Sequence, residues 1–108
     1  MSYNIYFQPP FSKRLKRLLK KYPSLKSELA VVINKLTTQP NIGTPLGDDC
    51  YKIRLGIASK GKGKSGGARI ITCVKIVNSA VYLLTIYDKS EQETISLTEL
   101  KELASNIE

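Results

Sequence analysis

The chain has 108 residues, a length that predicts one domain over residues 1–108 with a core of its own. It contains 17 Lys and Arg against 9 Asp and Glu, a net charge of +8, and no histidine. The lack of histidine excludes an imidazole general base, a Ser–His or Cys–His nucleophile pair and a histidine metal site.

The first half of the chain predicts a strand followed by two helices and a loop. Residues 2–7 are aromatic and β-prone, and two prolines end the run. From Phe11 to Tyr22, apolar residues recur at helical spacing between lysines and arginines. A second amphipathic helix is predicted over residues 25–36. Residues 39–49 are rich in turn formers and predict a surface loop.

The second half predicts three strands and a helix. The strands follow the loop and span residues 50–57, 68–77 and 80–87, each with strand-like composition. Asn78–Ser79 predicts a tight hairpin turn, and apolar spacing from Leu97 onward predicts a C-terminal helix capped by Ser96 or Thr98. The predicted fold class is α+β, in the order β-α-α-β-β-β-α. Two helices cover one face of a mostly antiparallel sheet and leave the other face partly open.

Positive charge is concentrated in the first three quarters of the chain. Residues 1–76 hold 15 Lys and Arg against 3 acids, whereas residues 77–108 hold 2 against 6. This asymmetry makes a polyanion the first partner to expect. No apolar stretch approaches the length of a membrane span and no secretion signal is visible, so we expect a cytoplasmic protein that binds no membrane.

Neither the cysteines nor a phosphate-loop pattern indicates a cofactor. Cys50 and Cys73 lack metal-ligand spacing and fall in strand-like runs, so we expect no metal site and interpret both as reduced core thiols. Residues 58–65 (ASKGKGKS) fit a relaxed phosphate-loop pattern, but a strand follows where that motif requires a helix. We therefore expect no nucleotide cofactor.

Four cations are candidates for one cluster at an end of the sheet. Lys52 and Arg54 share the non-core face of their strand, Arg69 opens the next strand, and Lys89 follows the last one. Residues 50–87 contain 7 Lys and Arg and no acid. A solvated sheet face explains the first two equally well, and a salt bridge explains Arg69. As a cluster they predict a phosphate site, where crowding lowers the pKa of a lysine and makes it a general base.

The first predicted helix carries six cations and no acid. They are Lys13, Arg14, Lys16, Arg17, Lys20 and Lys21. A solvated face is the usual explanation, but uncompensated like charges destabilise a helix, which favours binding to ribosomal RNA or to an acidic segment of a partner protein. In the glycine-rich loop, Lys60, Lys62 and Lys64 either wrap phosphates or belong to a soluble connection.

The order of elements and three stretches of sequence resemble RelE/ParE-superfamily toxins of bacterial type II toxin–antitoxin systems. The stretches are YKIRL (51–55), KGKGKSGGARII (60–71) and YLLTIYDKSE (82–91). The glycine–lysine loop before ARII looks most like the HigB-type branch. The resemblance extends from the first strand to about residue 95.

The resemblance implies an mRNA interferase, a metal-independent endoribonuclease that cuts mRNA on the ribosome and is neutralised by a cognate antitoxin. In that chemistry the 2′-OH of the RNA attacks the adjacent phosphate, and the enzyme transfers protons and stabilises the phosphorane. By similarity, Lys52 and Arg54 are paired strand cations that act as base or orient the phosphate. Arg69 clamps the scissile phosphate, and Lys89 lies near the leaving group. The sequence lacks an aromatic residue that some members have near position 95, for which Tyr87 is the candidate substitute.

Two other functions stay open at this point. A ParE-like toxin would share the fold and act on DNA gyrase through protein contacts, without needing a phosphate cluster. A basic RNA-binding module without catalysis would bind many nucleic acids in a salt-sensitive way. The presence of Lys52, Arg54 and Arg69 favours the nuclease.

Overall fold

The computed structural model describes residues 2–58 and 66–107, which form five strands and three helices. The strands are β1 (Asn4–Phe7), β2 (Thr44–Gly47), β3 (Cys50–Leu55), β4 (Ala68–Lys75) and β5 (Ala80–Asp88). The helices are α1 (Pro9–Lys21), α2 (Leu25–Leu36) and α3 (Leu97–Ser105). The predicted α+β class and the order of its elements are confirmed, with one strand added. None of the helices in the described ranges is long and apolar enough to cross a membrane.

The strands form one mixed sheet in the order β1-β5-β4-β3-β2. β1 runs parallel to β5, and the other neighbours are antiparallel. β2 is the added strand, and it lies within residues 39–49, which were predicted as a loop. Its sequence, TPLG, holds a proline and a glycine, two residues that are rare in strands, so composition pointed away from it. A turn at Asp48 and Asp49, both with positive φ, joins it to β3.

The first face of the sheet is covered by α1 and α2, as predicted. Pro9 and Pro10 occupy the first turn of α1. Backbone N–H groups in the first turn have no acceptor within the helix, so proline loses no hydrogen bond there. The buried residues of the two helices recur at helical spacing and are Phe11, Leu15, Leu18, Leu25, Leu29, Val32 and Leu36. They pack with Ile53, Leu55 and Ile70 of the sheet in one apolar cluster.

The second face carries a smaller apolar cluster against which α3 packs. Ser96 caps this helix, since its Oγ accepts a hydrogen bond from the N–H of Glu99 at 3.1 Å, which confirms the predicted cap. Leu100 of α3 packs against a cluster of sheet residues that includes Cys50, Ile71, Cys73, Tyr82, Leu84 and Tyr87. Both cysteines are buried free thiols, as predicted. This face stays open at Lys52, which is half-buried, and Arg54, which is exposed.

The connection from β4 to β5 differs from the prediction. The tight turn expected at Asn78–Ser79 is instead a 3-10 turn over Ile76–Asn78, closed by Ser79 at a φ of 49°. The apolar run through Ile76 and Val77 suggested that the strand continued, but both side chains are exposed. These residues therefore belong to the turn rather than to the ladder.

A β-bulge interrupts the pairing of β4 with β5. Ile71 lies opposite Thr85, but Thr72 lies opposite Leu83, so Leu84 is an extra residue in β5. Such a bulge shifts the alternation of side chains by one position. As a result, Leu84 and Tyr87 both belong to the cluster on the second face.

Candidate functional site

Three side chains form a row across the central strands on the second face. Arg54 of β3 is in register with Arg69 of β4, and Arg69 is in register with Tyr87 of β5. Lys52 lies two residues before Arg54 on the same face, opposite Ile71. The structure thus brings together three of the predicted cations and the tyrosine.

The two arginines of this row form one of the close pairs of the antiparallel ladder. The N–H of Val74 donates to the carbonyl oxygen of Asp49 at 2.9 Å, so these two opposite residues are a hydrogen-bonded pair. Hydrogen-bonded and non-hydrogen-bonded pairs alternate along an antiparallel ladder. Arg54 and Arg69 are consequently a pair without hydrogen bonds between them, with Cα atoms about 4.5 Å apart. Like charges in this arrangement destabilise a sheet. Among the described residues no ion pair involves Arg54, so a bound anion would relieve the repulsion.

Arg69 is the buried member of the pair, at 3% exposure. Its Nη1 donates to the carbonyl oxygen of Ala68 at 3.0 Å, which orients the guanidinium. Burial lowers the pKa of Arg69, the charge of Arg54 lowers it further, and Tyr87 acts in the opposite direction. Arginine keeps its charge in proteins even so. Arg69 is therefore a fixed cation whose charge is poorly screened by water.

Tyr87 places a hydroxyl beside Arg69. The residue is 3% exposed, and its hydroxyl lies near Thr94 without making a hydrogen bond in the part of the chain described. Burial raises the pKa of Tyr87, and the charge of Arg69 offsets part of that rise. The hydroxyl is protonated at neutral pH and is a donor without an acceptor among residues 2–58 and 66–107. Such a buried polar group costs free energy, which is typical of a group kept for a ligand or a reaction.

An open groove of about 1030 Å³ runs beside the cations, between α2 and the edge of β3. β2 pairs with β3 no further than Lys52, so the rest of β3 borders the groove. Val32 and Lys35 of α2 line one wall, and Lys52 and Arg54 belong to the other. An extended polyanionic chain lying in this groove would run along the edge of β3 that carries Lys52 and Arg54.

Lys89 lies at the same end of the sheet, but its ammonium is engaged elsewhere. Its N–H donates to the carbonyl oxygen of Gly67 at 2.9 Å. Its Nζ donates to the carbonyl oxygen of Glu93 at 2.8 Å. The structure therefore does not show Lys89 completing the cluster, because the turn after β5 folds back and provides an acceptor for its amine.

Gly67 lets the chain approach closely where β4 begins. A Cβ at this position would clash with the carbonyl oxygen of Leu55, at the end of β3. Only glycine permits such an approach. The glycine thus contributes to the pairing that sets Arg54 opposite Arg69.

Asp88, which the sequence did not single out, anchors the end of β5 next to Tyr87. It is fully buried, and its Oδ2 accepts a hydrogen bond from the Tyr22 hydroxyl at 2.7 Å. Its Oδ1 accepts from the N–H and the Oγ of Ser90 at 2.9 and 2.7 Å. The signal that could have revealed it is a single acid placed directly after a buried strand. These bonds hold the strand end that carries Tyr87.

Arg14 connects α1 with the second face. Its Nη1 donates to Thr85 Oγ1 at 3.0 Å, at the bulge of β5. Its Nη2 lies 3.6 Å from a carboxylate oxygen of Glu99, in the first turn of α3. The side chain predicted to contact RNA therefore also links α1, β5 and α3.

Glu91 forms ion pairs with two further cations of α1. Arg17 donates to both of its carboxylate oxygens, at 2.8 and 3.2 Å, and Lys21 lies 3.7 Å away. The hydrogen bond with Arg17 lowers the pKa of Glu91 and raises that of Arg17. The helix has no acid of its own, as the sequence shows, and the C-terminal section supplies the partner for these two cations. Lys13 and Lys20 are exposed, and no ion pair in the described ranges includes them.

The predicted phosphate ligands of the glycine-rich loop, Lys60, Lys62 and Lys64, lie outside the described residues. The segment that follows them is β4, so a strand takes the place of the helix that a phosphate loop would need, as predicted. Within the described ranges, no three Cys, Asp or Glu side chains are grouped as a metal site would require.

Fold and site together define a class of small α+β proteins in which a mixed five-stranded sheet presents arginines and a tyrosine on one face. The sequence assigns the chain within that class. It belongs to the RelE toxin family, since residues 11–107 match the family described as RelE toxin of the RelE/RelB toxin–antitoxin system. This confirms the superfamily resemblance. It does not distinguish the HigB-type branch, which stays a prediction.

Solved structures of E. coli RelE have a similar fold. The free state of a double arginine-to-alanine variant of that toxin matches with a TM-score of 0.64 at 21% identity, covering 100% of both chains. The isolated toxin matches with a TM-score of 0.52 at 18% identity, covering 98% of this chain and 100% of the other. The toxin of the intact RelBE complex matches with a TM-score of 0.50 at 22% identity, covering 81% and 96%.

Proposed function

We propose that this toxin is a metal-independent endoribonuclease that cleaves mRNA on the translating ribosome. The observation that carries this function is the row of Arg54, Arg69 and Tyr87. When the 2′-OH of the RNA is the nucleophile, the protein needs no nucleophile of its own. It must stabilise negative charge on the phosphorane and move two protons. The row, with Lys52 beside it, has groups for each task.

Each group of the row has a distinct part in this reaction. Arg54 and Arg69 bind the scissile phosphate, and their charges stabilise the phosphorane as it forms. Lys52 lies on the same face two residues before Arg54 and is an amine rather than a guanidinium, so it is the group to which we assign the proton of the 2′-OH. Tyr87 protonates the departing 5′ oxygen. Lys89 reaches that oxygen only after releasing the carbonyl of Glu93.

A cognate antitoxin is the protein partner that we propose for this toxin. Among the similar structures are the intact E. coli RelBE toxin–antitoxin complex and an E. coli RelE variant with a peptide of its antitoxin RelB. The chain has a net charge of +8, and Lys52 and Arg54 border its groove. An acidic segment of an antitoxin would therefore compete with mRNA and ribosomal RNA for the same cations.

Primer extension on a reporter mRNA in a translating extract tests the proposed function. The wild-type toxin should cut within translated codons, and Arg69→Ala should leave the mRNA intact. Lys75→Ala is the matched control. It removes an exposed cation from the same strand, β4, at the end opposite Arg69. This control should cut as the wild type does, and addition of the cognate antitoxin should stop both.

The same extract separates the other two functions. Uncut mRNA together with trapped gyrase–DNA cleavage complexes would identify a ParE-like toxin. Salt-sensitive binding of RNA without any cut would identify a basic RNA-binding module. If Arg69→Ala cut as well as the wild type, the phosphate site would be wrongly assigned although the protein is a nuclease.

A further inference from the structure

Cys50 and Cys73 face each other directly across β3 and β4. The hydrogen bond from Val74 N–H to the Asp49 carbonyl flanks the pair, so no ladder bond joins the two cysteines themselves. At such positions the Cα atoms are about 4.5 Å apart and the side chains are in contact. Both sulfurs approach the same carbonyl oxygen of Asp48, Cys50 at 3.6 Å and Cys73 at 4.0 Å. The two thiols therefore converge on one point.

We propose that Cys50 and Cys73 form a redox modification site, a dithiol that a low-molecular-weight disulfide such as oxidised glutathione converts reversibly into a cross-strand disulfide. Disulfides join residues whose Cα atoms lie about 4.4–6.8 Å apart, and the spacing of such a directly opposite pair falls in that range. The site lies at the opposite end of β3 from Arg54. It does not depend on the nuclease function proposed above.

The oxidation proceeds by two thiol–disulfide exchanges. Cys73 ionises first, because a hydrogen bond from the Cys50 thiol lowers its pKa to about 7. Its thiolate attacks one sulfur of oxidised glutathione, forms a mixed disulfide and expels one glutathione thiolate. Cys50 then loses its proton and attacks the Cys73 sulfur, which releases the second glutathione. Two electrons and two protons pass from the protein to glutathione, and one protein disulfide replaces two thiols.

The turn that joins β2 to β3 lies against the thiols, since both sulfurs approach the carbonyl oxygen of Asp48. Both cysteines are 1% exposed, so the reagent reaches them only when the structure around them opens locally. The turn includes Asp48 and Asp49, which are exposed and have φ values of 53° and 63°. Aspartate tolerates this left-handed conformation, and both residues belong to an exposed turn at the end of the ladder, where local opening takes the least free energy.

The disulfide would make the toxin more resistant to unfolding. It closes a loop from residue 50 to residue 73, which includes the glycine-rich segment, and so removes conformational freedom from the unfolded chain. For a loop and a domain of this size we expect the melting temperature to rise by roughly 10 °C.

The test uses the full chain, folded, at equilibrium with oxidised glutathione. After alkylation of remaining thiols and tryptic digestion without reductant, mass spectrometry should show residues 36–52 linked to residues 70–75. The melting temperature should rise, and dithiothreitol should reverse both changes. Cys73→Ser, or Cys50→Ser if that variant folds poorly, should give only a glutathione adduct and no rise. Two alkylated cysteines, or two separate glutathione adducts, in the folded wild-type protein would overturn the proposal whether or not the toxin cuts mRNA.

Discussion

Tyr87 lies directly opposite Arg69, on the face of the sheet that also carries Lys52 and Arg54. The bulge at Leu84 is responsible, because without that extra residue Tyr87 would point to the opposite face. A buried hydroxyl and a buried guanidinium are thereby fixed on neighbouring strands rather than on loops. Functional groups held on such rigid elements keep a precise geometry.

Neutralising either arginine should remove the activity without unfolding the protein. Arg69→Met keeps most of the side-chain length and deletes the charge, and Arg54→Met does the same on β3. Because each change removes one ligand of the developing phosphorane charge, we expect mRNA cleavage to slow by about 10²–10³-fold. Single-turnover cleavage assays and circular dichroism check this. A variant that folds normally and cuts at the wild-type rate would contradict the assignment of that arginine.

Removing only the hydroxyl of Tyr87 should separate activity from stability. Tyr87→Phe deletes a proton donor, so we expect cleavage to slow by about 10²-fold or more. The hydroxyl makes no hydrogen bond in the part of the chain described, so the free energy of unfolding should stay the same or rise by up to about 1 kcal/mol. Urea denaturation measures this. Tyr82→Phe, on the same face of β5, is the control and should change neither quantity.

The alternation of polar and apolar residues predicted which face of the sheet carries the cations, but it could not predict how Tyr87 is oriented. Side chains alternate between the two faces of a strand, so the apolar residues of β3 and β4 predict that Lys52, Arg54 and Arg69 lie on the other face. The observed register confirms that these three residues share one face. In β5 all nine residues are buried, so the sequence has no polar alternation to mark the bulge. Only pairing with β4 defines which residue is extra.

Contacts between distant parts of the chain were also beyond prediction. Tyr22 and Asp88 are 66 residues apart, and Arg14 reaches Thr85 over 71 residues. No local pattern indicates that such polar groups meet, because their proximity results from packing α1 against β5. The same packing brings Glu91 to Arg17, so one charge that looked uncompensated along α1 is paired with an acid from the other end of the chain.

The stability of the protein at high pH should depend on Tyr87. Burial raises its pKa, so folding favours the protonated hydroxyl. That contribution is fully present below the pKa of an unfolded tyrosine, about 10, and is lost as pH rises through the folded value. Urea titrations from about pH 9 to 11.5 should show a steeper loss of stability for the wild type than for Tyr87→Phe. Parallel curves would contradict the raised pKa.

Tyr22→Phe should destabilise the fold by disturbing the end of β5. It removes a 2.7 Å hydrogen bond to the fully buried carboxylate of Asp88. Hydrogen bonds to charged groups contribute about 1.5–3 kcal/mol, so we expect a loss of about 2 kcal/mol in the free energy of unfolding. Tyr51→Phe, which removes a hydroxyl from a partly buried tyrosine of β3, should cost less than about 0.5 kcal/mol. Equal losses in the two variants would show that the bond to Asp88 contributes nothing.

The exposed cations of α1 should contribute to RNA affinity through charge alone. Lys13 and Lys20 have no ion pair in the described ranges, unlike Arg17, whose guanidinium Glu91 already holds. Each phosphate contact releases counterions, so removing two should reduce the slope of log affinity against log salt by about 1.5. The double variant Lys13→Ala/Lys20→Ala is compared with Lys26→Ala/Lys101→Ala, which removes the same charge from α2 and α3. Binding to ribosomal RNA is measured by fluorescence anisotropy at several salt concentrations. If both double variants lowered the slope equally, net charge rather than the α1 surface would determine the affinity.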